Sequence, residues 1–199
     1  MQTEKVITVS RYCQDLFDLA VSIQVTDRHG QHATLDEGGR FVIDLLGRVK
    51  ESGNKAMVIG NGGSAAIAGH MQNDLSKAVG IRSLAFHDVS LLTAMANDHG
   101  YDNAYESYVA QWSDQDDLLI AISSSGGSPN ILKAAAVARG RGCHIVTLSG
   151  FSRDNPLRSC GDLNFYVPVS DYGYVETLHS VLTHYLTDMA QKNANRTPL

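Results

Sequence analysis

Apolar residues recur every three or four positions in several stretches of the chain, which is the spacing of an amphipathic α-helix. The first stretch runs from Val6 to about Val25, and the second from about Leu35 to Val49. Further helices are predicted over residues 64–77, within 90–111, over 129–139 and over about 174–191. Two helices therefore precede the first predicted strand.

Short continuous apolar runs separate the later helices. Five of them are predicted strands: Ala56–Ile59, Ser83–Phe86, Leu118–Ile122, His144–Leu148 and Leu163–Val167. Continuous apolar strands that alternate with helices are typical of a parallel sheet buried on both faces. The sequence therefore predicts an α/β fold, in which helices cover both faces of a five-stranded parallel sheet.

The length of 199 residues and the 43% content of hydrophobic residues fit a single domain with its own core. Within it, we expect residues 1–52 to form an N-terminal helical arm and residues 53–192 to form the α/β core. Residues 193–199 are expected to be a frayed tail.

Charge and cysteine content argue against several classes of protein. The chain has 16 Lys and Arg against 21 Asp and Glu, and no dense basic segment, so no direct nucleic-acid binding is expected. No apolar run approaches the ~18 residues of a membrane span, so no membrane association is expected either. Cys13, Cys143 and Cys160 are odd in number and widely spaced, which is typical of a reducing compartment. We therefore predict a cytoplasmic protein.

Two loops rich in glycine and serine each follow a predicted strand and open into a helix. Glycine lets backbone N–H groups approach an anion closely, and a helix N-terminus adds unpaired donors and partial positive charge. Ligands of parallel sheets bind beyond the carboxyl ends of the strands. These loops therefore favour a small phosphate ester as ligand. The candidate residues are Asn61, Gly62, Gly63 and Ser64 in the first loop and Ser123, Ser124, Ser125 and Ser128 in the second.

A dinucleotide is an alternative ligand for the first loop. Gly60, Gly62 and Ala65 fit the pattern G-x-G-x-x-A, and Asp88 could act as the acidic residue that binds a ribose. The second loop weakens this alternative, because a dinucleotide fold does not need it. We expect no nucleotide cofactor.

Histidines and carboxylates on two helices are candidates for metal binding or proton transfer. His70 and Asp74 are four residues apart, so they project from one helix face. On the last helix, Glu176, His179 and His184 could face a common pocket, because Glu176 and His184 lie only about 80° apart around the axis. Imidazole and carboxylate ligands suit zinc or a similar divalent ion. The alternative is that these are ordinary exposed helix residues.

Together these motifs resemble the sugar isomerase (SIS) domain family, and within it the enzymes that isomerise phosphorylated heptoses. The resemblance covers about residues 35–191 and includes both loops, Asp88-Val89-Ser90, Asn97-Asp98 and the histidines of the last helix. It implies an α/β/α sandwich whose N-terminal helices build a homotetramer, with active sites between subunits. It also implies conversion of sedoheptulose 7-phosphate to aldoheptose 7-phosphate, by metal-assisted proton transfer through an enediol.

The resemblance further implies roles for individual residues. Those expected to bind substrate are Ser64, Ser123, Ser125 and Ser128 at the phosphate, with Asn61, Gly62, Gly63, Asp88, Asn97, Asp98 and Ser124. Zinc is expected between His70, Asp74, Glu176 and His184, and Asp74 and His184 are expected to act as the catalytic acid and base. Two positions differ from the family pattern, since Asp74 stands where the family has Glu and Glu176 where it has Gln.

A non-catalytic role is the alternative within the same resemblance. Some SIS proteins bind phosphosugars or partner proteins without turnover, including the protein that associates with the bacterial replication initiator. A pure binding module does not need a histidine and carboxylate cluster. The set His70, Asp74, Glu176 and His184 therefore separates the two hypotheses.

Overall fold

The computed structural model describes residues 7–194, in which helices alternate with the strands of one sheet. The helices are α1 (Val9–Val21), α2 (Leu35–Glu51), α3 (Gly63–Asp74), α4 (Val89–His99), α5 (Glu106–Trp112), α6 (Pro129–Gly140) and α7 (Tyr172–Ala194). The strands are β1 (Gln24–Thr26), β2 (His32–Ala33), β3 (Lys55–Gly60), β4 (Arg82–Leu84), β5 (Leu118–Ser123), β6 (His144–Ser149) and β7 (Leu163–Tyr166). A π-helical turn (Leu75–Val79) continues α3, and 3-10 turns form at Tyr101–Asn103 and Pro156–Ser159.

The sheet has the strand order β2-β1-β7-β6-β5-β3-β4. The five strands β4, β3, β5, β6 and β7 are parallel to one another, which confirms the predicted five-stranded parallel sheet. β1 and β2 extend it at one edge as an antiparallel pair, so the sheet has seven strands rather than five. The order of the five parallel strands reverses between β3 and β5, and such a switch point is where α/β sheets bind ligands.

Side chains on the two faces of the sheet form two separate cores, which makes the fold a three-layer sandwich. Along β3, Val58 packs with α2, α3 and α7, whereas Met57 and Ile59 point to the opposite face and pack with α5 and α6. The same alternation continues in β5, whose six residues are all buried. Burial on both faces explains why the central strands are continuously apolar.

The N-terminal segment differs from its prediction. α1 ends at Val21 rather than near Val25, because Val25 and Thr26 are buried at the sheet edge, where β1 pairs with β7. Contact with a distant strand here overrides the helical spacing. The predicted helix over residues 64–77 is also shorter, since α3 ends at Asp74 and the π-helical turn follows it.

The structure describes the two ends of the chain only in part. Residue 6, predicted to begin the first helix, lies outside the described residues. Of the predicted tail 193–199, the first two residues belong to α7, and residues 195–199 lie outside the described part.

Cys13, Cys143 and Cys160 are free thiols. No helix within residues 7–194 has both the length and the apolar character needed to cross a lipid bilayer.

Candidate active site

A cavity of about 310 Å³ opens at the switch point, where the chain leaves β3 and β5. All eight residues predicted from the two loops line it. Its lining consists of Asn61, Gly62, Gly63, Ser64, Ser123, Ser124, Ser125, Ser128, Tyr172 and Glu176. Hydroxyl and backbone N–H groups from two neighbouring loops therefore converge on one cavity.

The first loop presents the N-terminus of α3 to the cavity. Gly62 stands at the N-cap with a positive φ of 53°, and it has no side chain that could cap the helix. Gly60 must be glycine, because a Cβ there would meet the backbone of Ser64. The N-terminus of α3 thus lacks a side-chain cap, and free donors with partial positive charge suit an anion.

The second loop is held by its own serines. The hydroxyls of Ser123 and Ser128 lie 3.2 Å apart, and Ser123 Oγ also accepts a hydrogen bond from Gly126 N at 3.2 Å. Ser124 differs, since it is 4% exposed and its hydroxyl has no hydrogen-bond partner among the described residues. A buried hydroxyl without a partner is unfavourable in the free protein, and a bound ligand would supply the missing partner.

A hydrogen-bond network that the sequence did not indicate connects the two loops. Asn61 and Asn130 exchange side-chain amide hydrogen bonds of 2.9 Å in both directions. The hydroxyl of Tyr101 donates to Asn61 Oδ1 at 2.8 Å, and that of Tyr105 donates to Gly60 O at 2.6 Å. These residues fix the loop after β3 against α6. Tyr172, at the start of α7, is a further cavity residue that carried no sequence signal.

Glu176 contributes a carboxylate to the same cavity. Its side chain lies directly over Gly63, so closely that a Cβ at position 63 would collide with the carboxylate oxygens. The carboxylate therefore occupies part of the space in front of the α3 N-terminus. An acidic side chain in this position disfavours an anionic ligand unless it moves or is neutralised.

Toward the C-terminal ends of the same two helices, His70 and Asp74 of α3 lie close to His184 of α7. Asp74 Oδ2 lies 3.3 Å from His70 Nε2 and 3.9 Å from His184 Nδ1, and the two imidazole centroids are 4.8 Å apart. One ligand atom from each residue lies within 4.8 Å of the other two. Ligands held at about 2.0–2.2 Å from a tetrahedral zinc lie roughly 3.3–3.6 Å from one another, so these three fit a divalent ion after small rotations.

Glu176 is not part of this group of three. It precedes His184 by eight residues, which is about 12 Å along a helix axis. Closeness in angle around α7 therefore does not bring the two side chains to one point, and the role of Glu176 as a metal ligand stays a prediction.

His179 does not share a pocket with its neighbours on α7. It is fully buried, and its Nε2 lies 3.2 Å from Ser149 O. Burial lowers the pKa of the imidazole to about 4, so the side chain is neutral at pH 7. It belongs to the core between α7 and β6.

Three residues predicted to bind substrate do not line the cavity: Asp88 is the N-cap of α4, and Asn97 and Asp98 lie near its C-terminal end. Asp88 caps α4 by accepting hydrogen bonds from Ser90 N and Leu91 N, and the hydrogen bond from the Ser90 hydroxyl holds the pKa of its carboxyl below the ordinary value. Asn97 Nδ2 donates to Asp98 Oδ1 at 2.9 Å. All three side chains are exposed, and their contact with substrate stays a prediction.

Comparison with known proteins agrees with the fold. A family model described as SIS domain matches residues 30–150. The phosphoheptose isomerase of Aliarcobacter butzleri is 35% identical over 156 residues, which is 75% of this chain and 80% of the relative. That of Geobacter metallireducens is 33% identical over 196 residues, or 95% and 97% of the two chains.

A solved structure of a phosphoheptose isomerase has the same fold as this chain. The phosphoheptose isomerase structure from Neisseria gonorrhoeae superposes with a TM-score of 0.80 at 25% identity. The superposition covers 92% of this chain and 97% of that one.

Proposed function

Because the chain belongs to the SIS domain family, we propose that it is a phosphosugar isomerase that interconverts an aldose and a ketose. The substrate pair we propose is sedoheptulose 7-phosphate and aldoheptose 7-phosphate, in keeping with the names of its relatives. The observation that carries this proposal is the pairing of α3 and α7. Together these two helices present an anion cavity at their N-termini and a histidine and carboxylate cluster further along.

The cavity at the switch point is proposed to hold the phosphate. Ser123, Ser125 and Ser128 offer hydroxyls, and the α3 N-terminus offers backbone N–H groups. Each charge-assisted hydrogen bond contributes about 1.5–3 kcal/mol, so a few of them hold a small phosphate ester. The unpartnered hydroxyl of Ser124 supports the same proposal, because a ligand oxygen would satisfy it.

The spacing of the two parts suits a phosphorylated sugar. Gly63 lies at the cavity and His70 is seven residues later on α3, which is about 10 Å along the helix. A sugar held by its terminal phosphate can therefore extend its carbonyl end toward His70, Asp74 and His184. Binding energy from the distant phosphate then positions the reacting carbons.

Isomerisation moves one proton between C1 and C2 through an enediol, so it requires a base and an acid. We assign these roles to Asp74 and His184, whose Oδ2 and Nδ1 atoms are 3.9 Å apart. Their side chains are 23% and 49% exposed, so a substrate can reach both. A positioned acid and base together contribute roughly 10²–10⁴-fold to the rate.

His70, Asp74 and His184 would hold a divalent ion such as zinc, whereas Glu176 lies outside this group of three. A metal bound there would supply Lewis-acid polarisation of the substrate carbonyl. In the absence of a metal, His70 orients the Asp74 carboxylate through the 3.3 Å contact between Nε2 and Oδ2.

We further propose a cytoplasmic homotetramer in which the N-terminal helices form subunit contacts. Val9, Phe17 and Val21 of α1 and Val181 of α7 are each more than half exposed. Exposed apolar side chains in such number favour an interface. Asp88, Asn97 and Asp98 would then act on substrate at a site shared between subunits.

The test is conversion of sedoheptulose 7-phosphate by the purified full-length chain, before metal removal, after chelation and after addition of zinc. Product is measured by chromatography, with unphosphorylated sedoheptulose as the control substrate. We expect aldoheptose 7-phosphate from the phosphorylated sugar only. Binding of the phosphosugar without product under every metal condition would contradict the proposal and favour the non-catalytic alternative.

A further inference from the structure

A second cavity, of about 430 Å³, lies at the outer edge of the sheet. It is formed by the turn between β1 and β2 and by residues 153–159, and it shares no lining residue with the cavity at the switch point. Thr26, at its wall, pairs with Asn164 near the start of β7. Asn155 of its wall packs against Gly126 of the second serine loop, so the second cavity is a neighbour of the candidate active site with a separate lining.

Three arginines line this cavity, although the chain as a whole carries a net charge of −5. Arg28 comes from the turn after β1, and Arg153 and Arg158 come from the segment after β6. Two carboxylates, Asp27 and Asp154, also lie in the lining. The guanidinium groups therefore exceed the acids by one positive charge.

Within residues 7–194, the two acids of the lining form no ion pair closer than 4.0 Å with these arginines. Asp27 Oδ1 accepts hydrogen bonds of 2.8 Å from the backbone of residues 29 and 31, which commits it to the turn. Arg28 has only a distant ion pair, 3.9 Å from Asp162. Within residues 7–194, neither Arg153 nor Arg158 has a carboxylate within 4.0 Å.

Arg158 is fixed in position at the cavity wall. Its guanidinium stacks 4.2 Å from the ring centroid of Tyr166, Nη1 donates to Arg153 O at 2.9 Å, and Nη2 lies 3.4 Å from Gln24 Oε1. These contacts use two of its five N–H donors. A partly buried guanidinium without an anionic partner is unfavourable, because loss of hydration is not compensated by a counter-charge.

We propose that this cavity is a second binding site for a phosphate-bearing metabolite, distinct from the candidate active site. A phosphoryl group offers several charged oxygens, which match the planar donor arrays of arginines approaching from two sides. The volume exceeds what a single phosphate needs, so the ligand is a larger molecule that carries the group. This assignment does not depend on the activity proposed above.

Pyrophosphate is a suitable probe, and its binding to the full-length chain is measured by calorimetry at constant ionic strength. Ser125→Ala is expected to weaken anion binding in the cavity at the switch point. Pyrophosphate binding that persists in this variant therefore reports the second site. Into that background we introduce Arg153→Gln, an exposed residue whose change leaves folding intact, and separately Arg158→Gln. Arg141→Gln, which removes an exposed positive charge that does not line the cavity, is the matched control.

We expect pyrophosphate binding to persist in Ser125→Ala, to weaken at least tenfold with Arg153→Gln or Arg158→Gln, and to be unchanged with Arg141→Gln. Loss of all binding in Ser125→Ala alone would overturn the proposal, since one site would then explain the data. An equal loss with Arg141→Gln would also overturn it, because the effect would then be one of overall charge.

Discussion

The carboxylate of Glu176 lies against the backbone of Gly63, at the point where α3 begins and where a phosphate is proposed to bind. The same helix end thus faces an acidic side chain of the protein itself. Because two negative charges at short range repel, the residue at position 176 is expected to control how tightly the cavity holds an anion.

Glu176→Gln is therefore expected to tighten phosphosugar binding. Removal of one negative charge near the phosphate is worth about 1–2 kcal/mol, which is roughly a tenfold decrease in KM. The measurement is KM for sedoheptulose 7-phosphate, with Glu51→Gln on the exposed end of α2 as the control for net charge. A higher KM together with lower metal content would instead identify Glu176 as a metal ligand.

Gly60→Ala is expected to destabilise the loop after β3. A Cβ at this position meets the carbonyl of Ser64, and backbone atoms cannot rotate away as a side chain can. We expect a decrease of about 1–3 kcal/mol in the free energy of unfolding, measured with urea. Gly47→Ala in α2 is the matched control, because open space surrounds that position and alanine favours a helix. Equal effects from both substitutions would contradict the steric account.

Ser124→Ala is expected to weaken ligand binding without lowering the stability of the free protein. Its buried hydroxyl has no partner, so its removal leaves the free protein equally stable or up to about 1 kcal/mol more stable. Loss of a hydrogen bond to the ligand reduces the thermal stabilisation by sedoheptulose 7-phosphate at the same time. Ser113→Ala removes another buried hydroxyl that has no hydrogen-bond partner within residues 7–194, at a site outside the cavity, and is expected to leave ligand stabilisation unchanged. If Ser124→Ala binds the sugar like the parent protein, the hydroxyl does not contact substrate.

The buried imidazole of His179 is expected to make stability depend on pH. Its pKa is about 4 in the folded chain and near 6.5 when exposed, so between these values only the unfolded chain takes up the proton. The free energy of unfolding therefore falls as the pH falls from about 6.5 to about 4, by as much as roughly 3 kcal/mol from this group. In His179→Gln, whose amide can also donate to Ser149 O, this contribution is absent. Urea unfolding of both proteins across this range checks the difference, and parallel curves would show that His179 does not titrate on unfolding.

The sequence predicted the centre of the fold better than its edge. β3, β5 and β6 agree with their predicted ranges to within one residue at each end, because burial on both faces requires continuous apolar runs. β1 and β2 have three and two residues, which is too short for a pattern to develop. Their formation depends on the exposed edge of β7, which only the folded sheet provides.

The candidate site was predicted to different extents in its two parts. The loop residues follow directly from glycine and serine after strands, and the pair His70 and Asp74 follows from helical spacing. The role of Glu176 as a metal ligand beside His184, which the family resemblance implies, stays a prediction. Tyr172 reaches the site through packing of distant segments, for which a single sequence contains no signal.

The most direct test follows sedoheptulose 7-phosphate in deuterated water by NMR, with the parent protein, Ser125→Ala and His184→Ala over a range of substrate concentrations. We predict that the parent forms aldoheptose 7-phosphate with deuterium at C2, because the transferred proton exchanges with solvent at the base. Ser125→Ala should raise KM with similar kcat, whereas His184→Ala should lower kcat by about 10²-fold or more. Substrate that binds the parent protein but shows neither product nor deuterium exchange, with zinc present, would contradict the account.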